Sequence, residues 1–236
     1  FDPSAVQFLV DLEAPCLKIA SFEITDLPLI YAAAETGIPL IVSTGMATRA
    51  EIAAAVGAAE SAGCTDLALL WCTSAYPATA RAANLRGLVD LRDWSGREVG
   101  ISDHTLGTAV STAAVALGAT IIEKHVTLDH ELETVDSAFS LDPTELAQLV
   151  RDARAAWEAL GEVSYGPTER EVASLRFRRG LWFVRDLAAG DVVGPEDVRS
   201  LRPEAELPPD SIGEVLGRRL RGSVRRGDPV TLEVLG

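Results

Sequence analysis

The chain has 236 residues, 47% of them hydrophobic and 24% charged, with a formal net charge of −14. That length suffices for one large or two ordinary domains with a real buried core, and no apolar stretch approaches the roughly 18 residues of a membrane-spanning helix. The acidic excess argues against nucleic acid as a partner, and the odd, apolar-embedded Cys16, Cys64 and Cys72 read as buried reduced thiols of a cytoplasmic protein.

In chain order, Pro3 and Ser4 open a helix predicted over 4–13. Strands are predicted at Leu17–Ala20, Leu40–Ser43, Leu67–Cys72, Glu98–Ser102 and Ala119–His125, alternating with helices at about 26–36, 48–62, 81–93, 106–117 and 143–160. Near-continuous apolar strands between helices are the signature of buried parallel strands in an α/β fold. Each strand ends in small, polar or titratable residues: Lys18 to Ser21, Ser43-Thr44-Gly45, Thr73-Ser74, Ser102-Asp103-His104 and Glu123-Lys124-His125. Carboxyl ends of strands are where chemistry gathers in barrels and open sheets alike. No Gly-rich dinucleotide loop follows any strand. This favours a TIM-type barrel over an open doubly wound sheet, and with five βα units the barrel is partial. The barrel segment is assigned to 1–162 and a linker of mixed charge to 163–176. From 177 to 236, short extended pieces with turn signals (Gly180–Asp186, Leu201–Pro203, Arg226–Pro229) predict a β-type domain of about sixty residues, near the lower limit for folding alone.

The charge follows this division. Residues 1–175 hold 10 Lys+Arg against 25 Asp+Glu, whereas residues 176–236 hold 11 against 10. An acidic body that binds an anion must concentrate positive charge locally. Of the 21 basic residues only Lys18 and Lys124 are lysine, and both end apolar runs. Lysine is a compact point charge on a flexible stem, unlike the planar fork of arginine, so both are candidate anchors for phosphate or carboxylate.

Two of the 3 histidines, His104 and His125, end consecutive predicted strands. Parallel neighbours lie about 4.8 Å apart, so two imidazoles there can converge on one divalent ion and leave an open site for Lewis-acid work. His130, in a polar loop, reads as surface. Lys18 with Ser21, Ser43, Ser74 and Ser102 would surround one opening with donors suited to a phosphate plus a carboxylate; helix capping is the alternative role for Ser43 and Thr44. Tyr76 either closes the ligand from the side or shapes a loop. Glu123 and Asp136 are candidate acceptors for sugar hydroxyls, or partners of arginine.

These segments resemble the sialic acid synthase family, in which a (β/α)8 TIM barrel precedes a small antifreeze-like (SAF) domain. The resemblance runs through Leu17-Lys18-Ile19-Ala20-Ser21, Ser43-Thr44-Gly45-Met46, Cys72-Thr73-Ser74-Ala75-Tyr76-Pro77, Gly100-Ile101-Ser102-Asp103-His104-Thr105 and Glu123-Lys124-His125. The segment Val135–Pro143 looks most like the pseudaminic acid synthase branch. The resemblance implies the last five βα units of the barrel and a condensation of phosphoenolpyruvate with an amino-sugar aldose, 2,4-diacetamido-2,4,6-trideoxy-L-altrose in that branch. The products are phosphate and a nonulosonic acid; N-acetylneuraminate and legionaminate synthases are the alternatives. It implies that His104 and His125 hold Mn²⁺ or Mg²⁺, which polarises the sugar aldehyde. Lys18 and Lys124 would be catalytic and, with Ser21, Ser43, Ser74, Tyr76 and Ser102, would position phosphoenolpyruvate, while Glu123 and Asp136 face the sugar.

In the family the small domain closes over the partner subunit's barrel in a swapped homodimer, and Arg202 of Leu201-Arg202-Pro203 would contact sugar. Glu204 and Glu206 stand where the family usually has glycines, and Gly180 replaces a usual Ser. The family's barrel starts about three strands earlier, with a catalytic Glu and a further phosphate-binding Lys. A polypeptide starting at Phe1 is therefore expected to be inactive or poorly soluble, and an upstream extension of about 110 residues is expected in the gene. Two rival readings are a Schiff-base aldolase with Lys124 as nucleophile, and an inactive remnant whose small domain serves carbohydrate binding or dimerisation.

Overall fold

The computed structural model describes residues 1–132 and 134–236, and the chain divides into two compact units, Phe1–Glu162 and Val163–Gly236. In the first, helix α1 (Pro3–Asp11) is capped by Asp2, whose carboxylate accepts the Ala5 N–H. Five strands follow: β1 (Leu17–Ile19), β2 (Leu40–Ser43), β3 (Leu67–Cys72), β4 (Glu98–Asp103) and β5 (Ile122–Lys124). Between and after them run α2 (Leu27–Glu35), α3 (Arg49–Ser61), α4 (Arg86–Ser95), α5 (Ala109–Ala116) and α6 (Pro143–Leu160).

Every pairing is parallel and the strand order is β1-β2-β3-β4-β5. An open doubly wound sheet reverses its order at a switch point; an unbroken sequential order is the winding of a barrel. Curvature points the same way. In a flat sheet β1 and β5 would lie about 19 Å apart, yet Lys18 Nζ on β1 comes within 3.4 Å of Glu123 Oε2 on β5. The sheet is curled around its polar face into a half-barrel.

Period-two alternation decides which side chains meet the helices. Leu17, Ile19, Leu40, Val42, Leu69, Val99 and Ile101 join Ile30, Ala33, Ile52, Leu88, Leu91 and Ala114 in one core, each large side chain contributing about 1.5–3 kcal/mol by burial. The residues between them, Lys18, Ser43, Ser102 and Glu123 among them, turn to the concave side. Gly100 also faces inward, where a Cβ would lie 2.4 Å from the Ile121 carbonyl and 2.6 Å from Leu70 Cδ2.

Two of the shifts in predicted bounds have a local cause. The helix expected from about 81 starts at Arg86, because the Ala83 carbonyl is taken by Trp71 Nε1 at 2.8 Å and Asn84 adopts φ +41°. The strand expected over Ala119–His125 shortens to Ile122–Lys124, since among the described residues its ladder has a partner on one side only, β4. Cys64 and Cys72 are buried, but Cys16 is exposed in the turn before β1, which corrects the expectation of three buried thiols.

In the second unit β6 (Gly180–Phe183) pairs antiparallel with β7 (Val198–Leu201). Leu181, Phe183, Val193, Val198, Leu207, Val215, Leu220, Val224, Val230 and Leu235 form its own core. Two one-turn helices complete it, α7 (Glu169–Val172) and α8 (Ile212–Val215). A Thr168/Glu171 capping box makes α7 helical inside the segment read as a linker. Gly180 has a local reason: a Cβ there would sit 2.3 Å from Ala205 N and 2.4 Å from Ala205 Cβ. Gly180→Ser should therefore overpack β6 and destabilise this unit by about 1–3 kcal/mol; an unchanged denaturant midpoint would show that the 205 loop simply moves away. No helix among the described residues is long and apolar enough to cross a membrane.

Candidate active site

The carboxyl ends of the strands open on the concave side, and most of the anticipated residues gather there in two groups. In the first, Glu123 bridges the half-barrel: Oε1 accepts from Ser102 Oγ at 2.6 Å and Oε2 lies 3.4 Å from Lys18 Nζ. Ser21 Oγ and Ser74 Oγ are 2.7 Å apart. Gly45 stands directly behind them at φ +50°, where a Cβ would fall 2.4 Å from Ser21 Cβ and 2.7 Å from Ser74 Oγ. The capping duty considered for Ser43 and Thr44 falls instead to Thr48, which forms a box with Glu51 at the start of α3. Thr44 Oγ1 donates to the Leu70 carbonyl, while Ser43 Oγ is buried with no partner among the described residues. A buried hydroxyl without a partner is costly, and a ligand oxygen would relieve it.

The second group is aromatic. The rings of His104 and His125 have centroids 5.2 Å apart, and Tyr76 stacks tilted on His104 at 4.3 Å. Phe139, buried, closes against His125 at 5.0 Å and Tyr76 at 5.8 Å. His104 Nδ1 lies 3.0 Å from the Thr73 carbonyl, an atom that only accepts, so Nδ1 carries the proton. His125 Nδ1 lies 3.3 Å from Asp136 Oδ2. His104 thus has Nδ1 bonded to an acceptor, which leaves its Nε2 to ligate a metal, and His125 has the Asp136 carboxylate beside its own Nδ1. This donor set fits a divalent ion. Burial first, then the charges of Cys72, Asp136, Glu123 and Glu23, push the Tyr76 phenol above its ordinary pKa, so it stays protonated.

One anticipated role changes. Lys124 does not face the opening: its side chain is 3% exposed and Nζ sits 2.9 Å from Asp103 Oδ2 on the helix side of the sheet. In a strand, neighbours point to opposite faces, so a lysine between inward Glu123 and inward His125 must point outward. That removes it as an anion anchor and as a Schiff-base nucleophile. Asp136 meets His125 rather than an arginine, and Glu123 meets Lys18 and Ser102. Arg202 belongs to the second unit, exposed and with no ion pair among the described residues; Glu206 beside it accepts from Leu232 N instead.

Sequence reasoning passed over Phe139, the Thr73 carbonyl, Asp103 and Glu23. Glu23 follows β1 and has one carboxylate oxygen, Oε2, buried without a partner among the described residues. Its position two residues beyond Ser21, at a strand end, was the available signal. For Asp103, burial raises the carboxyl, but hydrogen bonds from Ser111, Thr105 and Lys124 together hold it below the ordinary value.

His130 is exposed at the surface, as expected, and is also engaged there. Its Nδ1 lies 3.4 Å from the Ser137 carbonyl and its Nε2 3.0 Å from Glu145 Oε2. Acceptors at both nitrogens favour the imidazolium; the Glu145 hydrogen bond is the largest cause of its raised pKa. With Asp142 they form a three-ligand group, but Asp142 and Glu145 are already joined as the capping box of α6. The contact ties the loop that carries Asp136 to α6. Since the folded pKa is raised, its contribution is full below the ordinary value of about 6.5 and lost as pH rises through the folded one. In an NMR titration His130 should protonate at higher pH than in Glu145→Gln; equal values in the two proteins would refute the tie.

Residues 1–165 match the model of the NeuB family and residues 178–235 that of the SAF domain. A pseudaminic acid synthase from Helicobacter pylori is 36% identical over 234 residues, 99% of this chain and 69% of that protein. An N,N'-diacetyllegionaminic acid synthase from Legionella pneumophila is 37% identical over 238 residues, 99% of this chain and 67% of its own length. The crystal structure of an N-acetylneuraminic acid synthetase from Leptospira borgpetersenii, in complex with citrate, superposes with a TM-score of 0.70 at 35% identity, over 75% of this chain and 62% of that one. The chain spans about two thirds of the length of the curated relatives it matches. A half-barrel with this strand order and a family match over its whole extent make the conclusion plain: the chain belongs to the NeuB family of nonulosonic acid synthases.

Proposed function

We propose that this protein acts as a pseudaminic acid synthase, condensing phosphoenolpyruvate with 2,4-diacetamido-2,4,6-trideoxy-L-altrose to give a nonulosonic acid and phosphate. The observation that carries the reading is the His104–His125 pair, with ring centroids 5.2 Å apart and His104 Nδ1 bonded to the Thr73 carbonyl, on the same concave surface as Lys18 and its serines. A divalent ion, Mn²⁺ or Mg²⁺, held by the two histidines would supply Lewis-acid polarisation of the sugar carbonyl.

The chain's own residues do the positioning. Lys18 offers an ammonium to the phosphate or carboxylate of phosphoenolpyruvate, and Ser21, Ser43, Ser74 and Ser102 offer hydroxyl donors. Glu123 holds Lys18 and Ser102 in place and turns its remaining acceptor capacity toward the sugar. Asp136 orients His125 and lies at the sugar side. Tyr76, kept as a phenol, donates its O–H and with Phe139 excludes water. The new bond forms between the enol carbon and the aldehyde carbon; a water oxygen adds at the adjacent carbon, and its former phosphate ester leaves as inorganic phosphate. Fixing two anions and an aldehyde in one geometry is catalysis by orientation and electrostatics.

The synthase part is assigned to 1–162, the linker to 163–176 and the SAF domain to 177–236. Arg202 is proposed to reach the sugar from the partner chain of a swapped homodimer in the cytoplasm, with neither nucleic acid nor membrane involved. The pseudaminic branch rests on Val135–Pro143 and agrees with the Helicobacter pylori relative; the equally similar Legionella pneumophila relative keeps the legionaminic branch as the alternative.

The test is an EPR titration of the purified protein. One Mn²⁺ should bind per chain, with a spectrum that changes on adding phosphoenolpyruvate and again on adding the trideoxy sugar. Absence of any Mn²⁺ binding that responds to phosphoenolpyruvate would favour the binding-module reading. A response to N-acetylmannosamine in place of the trideoxy sugar would move the substrate to the sialic acid branch.

A further inference from the structure

The buried Lys124–Asp103 pair has no part in the chemistry above, yet it adjoins both histidines. The β4–β5 ladder ends at the register pair Asp103↔Lys124. His104 and His125 are the next residue on each strand, so this pair is the last register tie before them. It is also dense. Asp103 Oδ2 accepts from Ser111 Oγ of α5 at 2.6 Å and from Lys124 Nζ at 2.9 Å. Asp103 Oδ1 accepts from Thr105 N at 2.8 Å, and Lys124 Nζ also donates to the Thr105 carbonyl. Both backbone polar groups of the residue after His104 are therefore held by side chains, one of which comes from the residue before His125.

Stability does not explain such a device. A buried ion pair is on average no more stabilising than apolar residues of the same volume. What it adds is geometry: a directional, multi-point tie between two strand ends that have left their ladder.

We propose that Lys124 and Asp103 are positioning residues, clamping the peptide after His104 to the strand end of His125 and so setting the separation and orientation of the two imidazoles. The clamp's consequence for metal affinity rests on the metal role proposed above; the clamp itself does not. Neither side chain touches substrate, and both act from the opposite face of the sheet.

The test uses Lys124→Met/Asp103→Asn, which removes both charges together and keeps an acceptor for Thr105 N. In the metal-free protein the imidazole NMR signals of His104 and His125 should shift or broaden, with those of His130, bonded to Ser137 and Glu145 rather than to the clamp, unchanged. Mn²⁺ affinity should fall about 10- to 100-fold, the usual effect of losing a group that supports a ligand. Ser111→Ala, which removes one anchor of Asp103, is the milder second variant; should the double variant unfold, it must shift the same two signals in the same direction. Unchanged His104 and His125 signals in the folded variants would overturn the proposal. Shifted signals in the variants, together with a parent protein that binds no Mn²⁺, would uphold the clamp and refute the metal reading instead, so the two failures are distinguishable.

Discussion

Replacing His104 by alanine is expected to abolish Mn²⁺ binding and to lower any synthase turnover by about 10³- to 10⁴-fold, the equivalent of roughly 4–5.5 kcal/mol of lost carbonyl polarisation. His104 is buried, and its loss also leaves the Thr73 carbonyl without its donor, so some destabilisation accompanies the functional effect. His125→Ala separates the two. Its side chain is 33% exposed, so it should lose the metal equally while disturbing the core less. EPR counts bound Mn²⁺ and a denaturant melt reads stability. If His104→Ala still binds Mn²⁺ within tenfold of the parent, the paired-imidazole site is wrong.

Lys18→Met should weaken phosphoenolpyruvate binding roughly 100-fold, because a hydrogen bond to a charged group contributes about 1.5–3 kcal/mol and each 1.36 kcal/mol is a factor of ten. The electrostatic setting sharpens this. Residues 1–175 carry 25 acidic against 10 basic residues, and Lys18 is paired to Glu123 on the concave face. Without its ammonium, the Glu123 carboxylate is left to repel an incoming anion. Lys18→Met/Glu123→Gln should therefore recover part of the loss, a coupling that a double-mutant cycle measures directly. Additive effects in that cycle would mean that the two residues do not work as a unit. Mn²⁺ binding without phosphoenolpyruvate should stay unchanged in both variants, since the histidines keep their own partners.

The course of the chain through the half-barrel was legible because its signals are local. Short apolar runs between capped helices, such as Leu67–Cys72 ahead of a turn-rich loop, mark buried parallel strands without any tertiary knowledge. The small polar residues after each run mark the end at which chemistry can gather, and Lys18, Ser21, Ser74, Ser102, Glu123, His104, His125 and Tyr76 do meet there. The helix start at Arg86 was not legible, because an indole from β3 and a left-handed Asn84 decide it. Nor was α7, whose capping box sits in a segment of unremarkable composition.

Lys18 and Lys124 draw the line between the two kinds of information. By itself the sequence determined that both lysines lie at strand ends of an acidic α/β domain, because apolar runs and composition are properties of adjacent residues. Only the tertiary structure decided that Lys18 faces Glu123 across the concave side while Lys124 is buried against Asp103 behind it. The physical reason is that a strand's side chains alternate, so a shift of one residue exchanges the site for the helix layer. Which face becomes the inside depends on how the whole sheet curls, and that is settled by contacts between residues as far apart in the chain as 18 and 123.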